Sequence, residues 1–295
     1  MNIRQSVRAG MFYEASPGPC RHHVDRLLAA AEVPADLPAP LVGGIVPHAG
    51  WVYSGALAAR TFKALLAGGS MRTVVLFGAD HVGIVRRGEV YDSGVWQTPL
   101  GEIAVDAELA AAVLAAGDCC RARPEAHAGE HSLEVQVPIL QVLQPNIRIL
   151  PIAVPPAELA VEVGQAVAKA IAQRAGGAGT AGVCLVGSTD LSHHGGHFPA
   201  PGGRGEVGEK WTRANDRRMI DLMEALDAQA VIGEAQQRMN ACGAGAIAAT
   251  IAACKALGAT KGLLLEYTNS YVVVHQKYPY ELDDTTVGYA SVVFA

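Results

Sequence analysis

Short apolar runs recur along the chain between helix-like segments, and that alternation predicts the fold. The runs are Leu41–Val46, Thr73–Phe77, Ile147–Val154, Val183–Val186, Gly262–Leu265, Tyr271–Val274 and Val287–Phe294. Several are nearly continuous Val, Ile and Leu, as in strands covered on both faces. Between them the pattern predicts helices over Cys20–Ala31, Tyr53–Leu66, Ala107–Ala116, His131–Leu143, Ala157–Arg174, Trp211–Leu226 and Gly243–Leu257. The expected class is α/β, three-layer, with a central sheet flanked by helices. The late strands lie close together without helices between them, so the sheet is expected to be mixed. The Pro-rich stretch 33–40 and the Gly-rich stretches 176–182 and 195–205 read as loops. No repeat or long linker divides the chain, and a single domain over residues 1–295 is expected.

Three of the predicted strands are followed at once by polar clusters. Pro47-His48-Ala49-Gly50 follows the first, Gly78-Ala79-Asp80-His81 the second, and Gly187-Ser188-Thr189-Asp190-Leu191-Ser192-His193 the run at Val183–Val186. Open α/β sheets bind their ligands just beyond the carboxyl ends of their strands. Three clusters at such positions predict a convergent site.

Composition narrows what that site serves. Half of the residues are apolar and 17% are charged, enough for a large core, and Ala and Gly supply much of the apolar share. That predicts close helix-on-sheet packing. A net charge of −5 and an isoelectric point near 6.1, with no Lys/Arg cluster, argue against nucleic acid, whose phosphates need a basic surface. The opening MNIRQSVRAGMFYEAS has no apolar core behind its arginines and does not read as a secretory signal. The longest weakly polar run, Ala241 to Cys254, is too short and too feebly hydrophobic for a bilayer, so no membrane association is expected. Six scattered cysteines without a CxxC pair predict free thiols in a reducing compartment, and the expected location is cytoplasmic.

Among the histidines, His48 and His81 stand apart because Gly50, Gly78 and Gly83 permit tight turns and close backbone approach beside them. Two neutral imidazoles from adjacent strand ends are a common start for a transition-metal site, although such a pair has no diagnostic spacing. Cys242 precedes the Ala-rich helix. It reads either as a thiol whose pKa the helix N-terminus lowers toward the ligating thiolate, or as a small buried hydrophobe. Asp190 and His193 form a D-x-x-H pair, either an acid/base couple in which Asp190 orients His193, or a turn with a solvent-facing imidazole. His131 and Glu134 fall on one face of the predicted helix at i, i+3, and no second Glu-x-x-His run exists to complete a carboxylate bundle. His131 is therefore expected to hydrogen-bond around a metal site rather than bind the ion, with Glu134 helping to hold it.

Taken together, these clusters resemble the Memo family almost end to end. Arg8-Ala9-Gly10-Met11-Phe12-Tyr13 is similar to the family's opening motif, with Glu14 where proline is usual. Pro47-His48-Ala49-Gly50-Trp51-Val52-Tyr53-Ser54-Gly55 resembles the PHAGYxYSG signature, with Trp51 for tyrosine. Trp96–Gly101, Glu130–Gln136, Ser188–His193 and Val287-Gly288-Tyr289 resemble further blocks in the family's order. In the second cluster, Asp80 stands where the family more often has Asn or Ser.

The resemblance implies a fold shared with class III extradiol dioxygenases. It implies a metal pocket at His48, His81 and Cys242 beside Asp190 and His193, with Trp51 and Tyr53 as aromatic surfaces near it. The dioxygenases hold Fe(II) with two histidines and a carboxylate; cysteine in place of the carboxylate makes copper the alternative to iron. Two functions follow as expectations. One is a ring-opening dioxygenase acting on a small catechol- or aminophenol-like substrate. The other is a metal-binding interaction protein, since animal members are described as signalling effectors. Microbial relatives resemble members of a system with AMMECR-type and radical-SAM proteins (AmmeMemoRadiSam), which makes an AMMECR-type protein the expected partner.

Overall fold

The structure, a computed structural model, describes residues 2–67, 71–176, 180–278 and 284–295. Its strands are β1 (Ile3–Arg4), β2 (Gly43–Val46), β3 (Thr73–Gly78), β4 (Gly88–Val90), β5 (Val95–Thr98) and β6 (Gly101–Ala104). They continue with β7 (Cys120–Ala122), β8 (Arg148–Ala153), β9 (Val183–Ser188), β10 (His193–His194), β11 (Gly262–Asn269) and β12 (Thr286–Phe294). The helices are α1 (Pro17–Ala30), α2 (Trp51–Leu66), α3 (Ala107–Ala115), α4 (Val137–Leu143) and α5 (Leu159–Arg174). They end with α6 (Gly205–Glu224), α7 (Ala228–Arg238), α8 (Ala244–Ala256) and α9 (Ser270–Lys277).

The large sheet is mixed, as its sequence predicts. Strands β2, β9, β3 and β8 run parallel at its heart, β12 and β11 extend it antiparallel on one side, and β4 and β7 on the other. Alternate residues of the central strands feed two cores, which makes the fold three-layered. Val75, Phe77, Ile45 and Leu185 enter one with α5 and α8; Val74, Leu76, Val46 and Val186 enter the other with α1, α2 and α4. A separate small sheet has the order β1-β5-β6.

The Ala/Gly richness has the predicted use. Every residue of α8 from Ala244 to Cys254 is buried. A Cβ on Gly187 of β9 would come within 2.4 Å of Thr250 Oγ1, and one on Gly164 of α5 within 2.2 Å of Ala249 O. Only glycine lets α8 sit this close to both neighbours.

Two predicted elements need correction. Tyr271–Val274 belongs to helix α9, whose Asn269 side chain caps it by accepting from Val272 N–H (2.9 Å). Three consecutive valines signal a strand locally, yet the chain turns out of the sheet at Asn269. The predicted helix over 131–143 starts only at Val137, after a 3₁₀ turn at Glu134–Gln136, so His131 and Glu134 share no helical face. Helix α7 and the short strands β1, β4, β5, β6, β7 and β10 were not predicted. The middle of the Gly-rich 176–182 loop, residues 177–179, lies outside the described residues. No described helix is long and apolar enough to cross a membrane.

The registers place the candidate loops together. Val46 pairs with Ser188 and Phe77 with Gly187, so β2, β9 and β3 finish nearly level. The loops carrying His48, His81 and Asp190 leave the sheet at one edge.

Candidate metal centre

His48, His81 and His131 meet at that edge, with one ring nitrogen of each within 4.8 Å of the others. The His81 and His131 rings stack at 4.5 Å between centroids, and His48 stands edge-on to both. Cys242, two residues before α8, places its Sγ 3.2 Å from His48 Nε2. Of the three ligands the family resemblance implies, all are here, and His131 joins them from the segment preceding α4.

His48, His81 and His193 are each aimed by what the other ring nitrogen does. Ser188 Oγ donates its one proton to Ser132 O (2.7 Å), so toward His48 Nδ1 (3.1 Å) it can only accept. His48 therefore carries its proton on Nδ1 and turns the Nε2 lone pair toward Cys242. His81 Nδ1 donates to Glu130 Oε1 (3.0 Å), and His193 Nδ1 donates to Leu191 O (3.0 Å). This is how proteins orient ligating or proton-accepting imidazoles. His131 Nδ1 is buried with no hydrogen-bond partner, 3.8 Å from Glu130 Oε1.

Glu130 organises one wall. It accepts from His81 N–H (2.8 Å), His131 N–H (2.7 Å) and Ser132 N–H (2.7 Å) besides the His81 ring. Burial alone would raise its pKa, but these donors, the His81 ring first, hold it well below the usual carboxylate range. With its oxygens so occupied it holds the His81 ring and the backbone of residues 130–132 in place. Burial would likewise lower His81, yet hydrogen bonds to Cys242 and Glu130 carry it up to about 10. Burial and the adjacent His81 and His131 push His48 well below its ordinary value, and burial with His81 lowers His131 to about 4. Two of the three rings are thus neutral, the form that binds metal.

Burial raises the Cys242 thiol despite its hydrogen bond with His81, so of the two readings of this residue the buried one sets its titration. A bound cation is what would make it a thiolate. Asp190 accepts from His48 N–H (2.7 Å) and from Ala49 N–H, and burial still lifts it to about 7. It does not orient His193, whose Nδ1 is taken by Leu191. Burial lowers His193, leaving Nε2 a free acceptor at the cavity wall.

The remaining predicted site residues are dispersed. Glu134 turns away and ties down the N-terminal segment through Arg4 (2.6 Å), Val7 N–H (2.9 Å), Arg8 N–H (2.8 Å) and Tyr13 Oη (2.8 Å). Asp80 accepts from the backbone N–H groups of Gly83, Ile84 and Val85 and shapes the turn after His81. Trp51 is buried, donating from Nε1 to Val135 O (3.0 Å), so it is no part of the cavity wall. Tyr53 is part of it. The cavity has a volume of about 680 Å³, with the three histidines, Asp190 and His193 on its polar side and Phe12, Tyr53 and Phe198 among its aromatic walls. Glu130, Ser188, Phe12 and Phe198 enter the site without a role predicted from the sequence. Only the carboxylate directly beside His131 offered a signal.

A family model described as Memo-like protein matches residues 4–293. The chain belongs to the Memo family. A MEMO1 family protein of Methanothermobacter thermautotrophicus is 34% identical over 297 residues, covering 98% of this chain and 99% of its own. Another, from Methanopyrus kandleri, is 34% identical over 302 residues, covering 99% and 98%. A third, from Pyrobaculum arsenaticum, is 31% identical over 301 residues, covering 100% and 99%. The resemblance read from the order of short motifs is thus borne out across this Memo-family chain. The donor set, two neutral imidazoles, a third (His81) whose extra proton a bound cation would displace, a neighbouring thiol and an unpartnered His131 Nδ1, fits a transition-metal ion.

Proposed function

We propose that this protein is a metal-dependent oxygenase that uses Fe(II) to open an aromatic ring bearing adjacent hydroxyl, or hydroxyl and amino, groups. The observation that carries the reading is an aromatic-walled cavity of about 680 Å³ that opens directly onto the histidine cluster, with His193 and Asp190 beside it. A structural ion would be closed off from such a space. His48, His81, His131 and Cys242 would hold the ion, which would supply electron exchange between a chelated substrate and dioxygen. The reaction balances without an external reductant: one ring C–C bond breaks and both atoms of dioxygen enter the product.

The protein's own groups do the rest. His193 Nε2 accepts the substrate hydroxyl proton, because Nδ1–H is committed to Leu191 O. Asp190, at about 7, keeps a second proton exchangeable near neutral pH. Phe12, Tyr53 and Phe198 flank the ring. An AMMECR-type partner would complete the open side of the cavity.

One observation favours a second reading, a metal-binding interaction protein without ring cleavage. The thiol of Cys242 stands where the dioxygenases have a carboxylate. Thiolate favours copper and is itself open to oxidation. Anaerobic titration should give about one Fe(II) per chain. Oxygen uptake with catechol and 2-aminophenol, with and without an AMMECR-type partner, then separates the readings. Metal binding with no uptake under either condition replaces the first with the second.

A further inference from the structure

Seven carboxyl side chains are buried among the described residues, Glu89, Asp106, Glu130, Glu134, Asp190, Glu209 and Asp216. Five have a cationic or imidazole partner: Arg121 for Glu89, Arg174 for Asp106, His81 for Glu130, Arg4 for Glu134 and Arg213 for Glu209. Asp190 and Asp216 have none. A fully buried carboxyl without a cation is costly to keep, and a well-packed neutral residue would serve stability better. Such groups concentrate at functional sites.

Asp216 lies on α6, outside the cavity, but it reaches the segment that carries His193. Its Oδ1 accepts from Ser192 N–H (2.8 Å), and Tyr267 Oη donates to its Oδ2 (2.8 Å). Asn215, beside it, donates to Ser192 Oγ (2.9 Å). On the opposite side of the segment, Gly288 donates to Ser192 O (3.0 Å) and accepts from Leu191 N–H (2.8 Å). A Cβ on Gly288 would fall 1.8 Å from Asp216 Oδ2, so the carboxyl fits only against bare backbone. The Ser192 amide is therefore clamped between β12 and α6. The N–H that Asp216 holds belongs to the same peptide group as the Leu191 carbonyl, which fixes the His193 ring.

We propose that Asp216 is a positioning residue for His193, holding the 191–193 backbone so that the imidazole keeps its Nδ1–H tautomer and presents Nε2 to the cavity. The functional weight of this rests on the reading of His193 as the proton acceptor.

The test uses the full chain and reads His193 directly. Nitrogen-15 NMR of the histidine rings should show a single Nδ1–H tautomer for His193 in the wild type and in Asp216→Asn, which keeps one acceptor. In Asp216→Ala the His193 signal should become a tautomer mixture or broaden. Tyr267→Phe, which leaves the Ser192 bond intact, should resemble the wild type and guards against misfolding of the alanine variant. With Fe(II) loaded, 4-nitrocatechol should bind about 10-fold more weakly to Asp216→Ala at unchanged iron stoichiometry, with Asp216→Asn restoring most of the affinity. An Asp216→Ala protein with the wild-type His193 signal overturns the proposal. Failure of the wild type to bind 4-nitrocatechol counts against the catechol reading alone, because the NMR result still decides Asp216.

Discussion

The two walls of the histidine cluster are each built on a buried acid, and the acids are treated in opposite ways. Glu130, on the wall before α4, takes four donors, including the His81 ring, and is held ionised far below neutrality. Asp190, on the wall after β9, takes only backbone N–H groups, and burial lifts it to about 7. Its neighbour His193 is half-buried, lowered below its ordinary value and free at Nε2. A carboxylate that cannot change its charge is suited to holding ligands. A carboxyl poised near neutrality beside a neutral imidazole with a free nitrogen is suited to moving protons. On the proposed function, the difference gives fixation to one wall and reactivity to the other.

The largest effect should come from breaking the fixed wall. Glu130→Ala leaves the His81 ring and three backbone donors unpaired, so Fe(II) affinity should fall by roughly 10- to 100-fold and the melting temperature should drop. Anaerobic titration and calorimetry check both. Cys242→Ala and His131→Ala, titrated alongside, should each cost more than ~10-fold if both are ligands. A milder loss for His131 would return it to the supporting role its sequence position suggested.

On the reactive wall, His193→Ala should keep metal stoichiometry and lower turnover by about 100-fold. Asp190→Asn should do the same less severely. Loss of metal from the His193 variant would erase the distinction between the walls.

A smaller, pH-dependent effect belongs to Asp216, which burial raises to about 7. Between pH 4 and 7 the folded protein keeps a proton that the unfolded chain has lost. The group's contribution is therefore present at low pH and disappears as pH rises through 7. Denaturant melts of the wild type minus Asp216→Asn should decline across that window, by at most about 1.4 kcal/mol per pH unit. A flat difference would mean that the carboxyl is ionised throughout.

The smallest change is expected at the rim. Phe198, 40% exposed and edge-on to His193 at 5.0 Å, follows Gly195 and Gly196, both at positive φ. Phe198→Ala should raise KM for an aromatic substrate by several-fold at constant kcat, worth about 1 kcal/mol of ring contact. A fall in kcat instead would tie this loop to the placement of His193.

Much of this was determined locally, by the chain itself. The apolar runs that became β2, β3, β8 and β9 are buried on both faces, and that environment leaves its mark on each residue in turn. Polar clusters directly after three of them were enough to bring His48, His81, Asp190 and His193 to one edge, because parallel strands in register end together. Cys242 was legible as one candidate reading from its place before the Ala-rich helix, and the family resemblance raised it above the buried-hydrophobe reading.

The tertiary structure alone decided the rest. Tyr271–Val274 became a helix because the chain leaves the sheet at a capping Asn269, which β-branched composition does not record. His131 entered the cluster because the backbone before α4 is a turn that presents its ring to His48 and His81. Trp51 went inward to Val135 while Tyr53, two residues further along α2, took the cavity wall. The tautomer of His48 depends on where Ser188 sends its single proton, and the divergence of Glu130 from Asp190 depends on how many donors converge on each. Such facts join residues far apart in the chain, and no local pattern of residue types carries them.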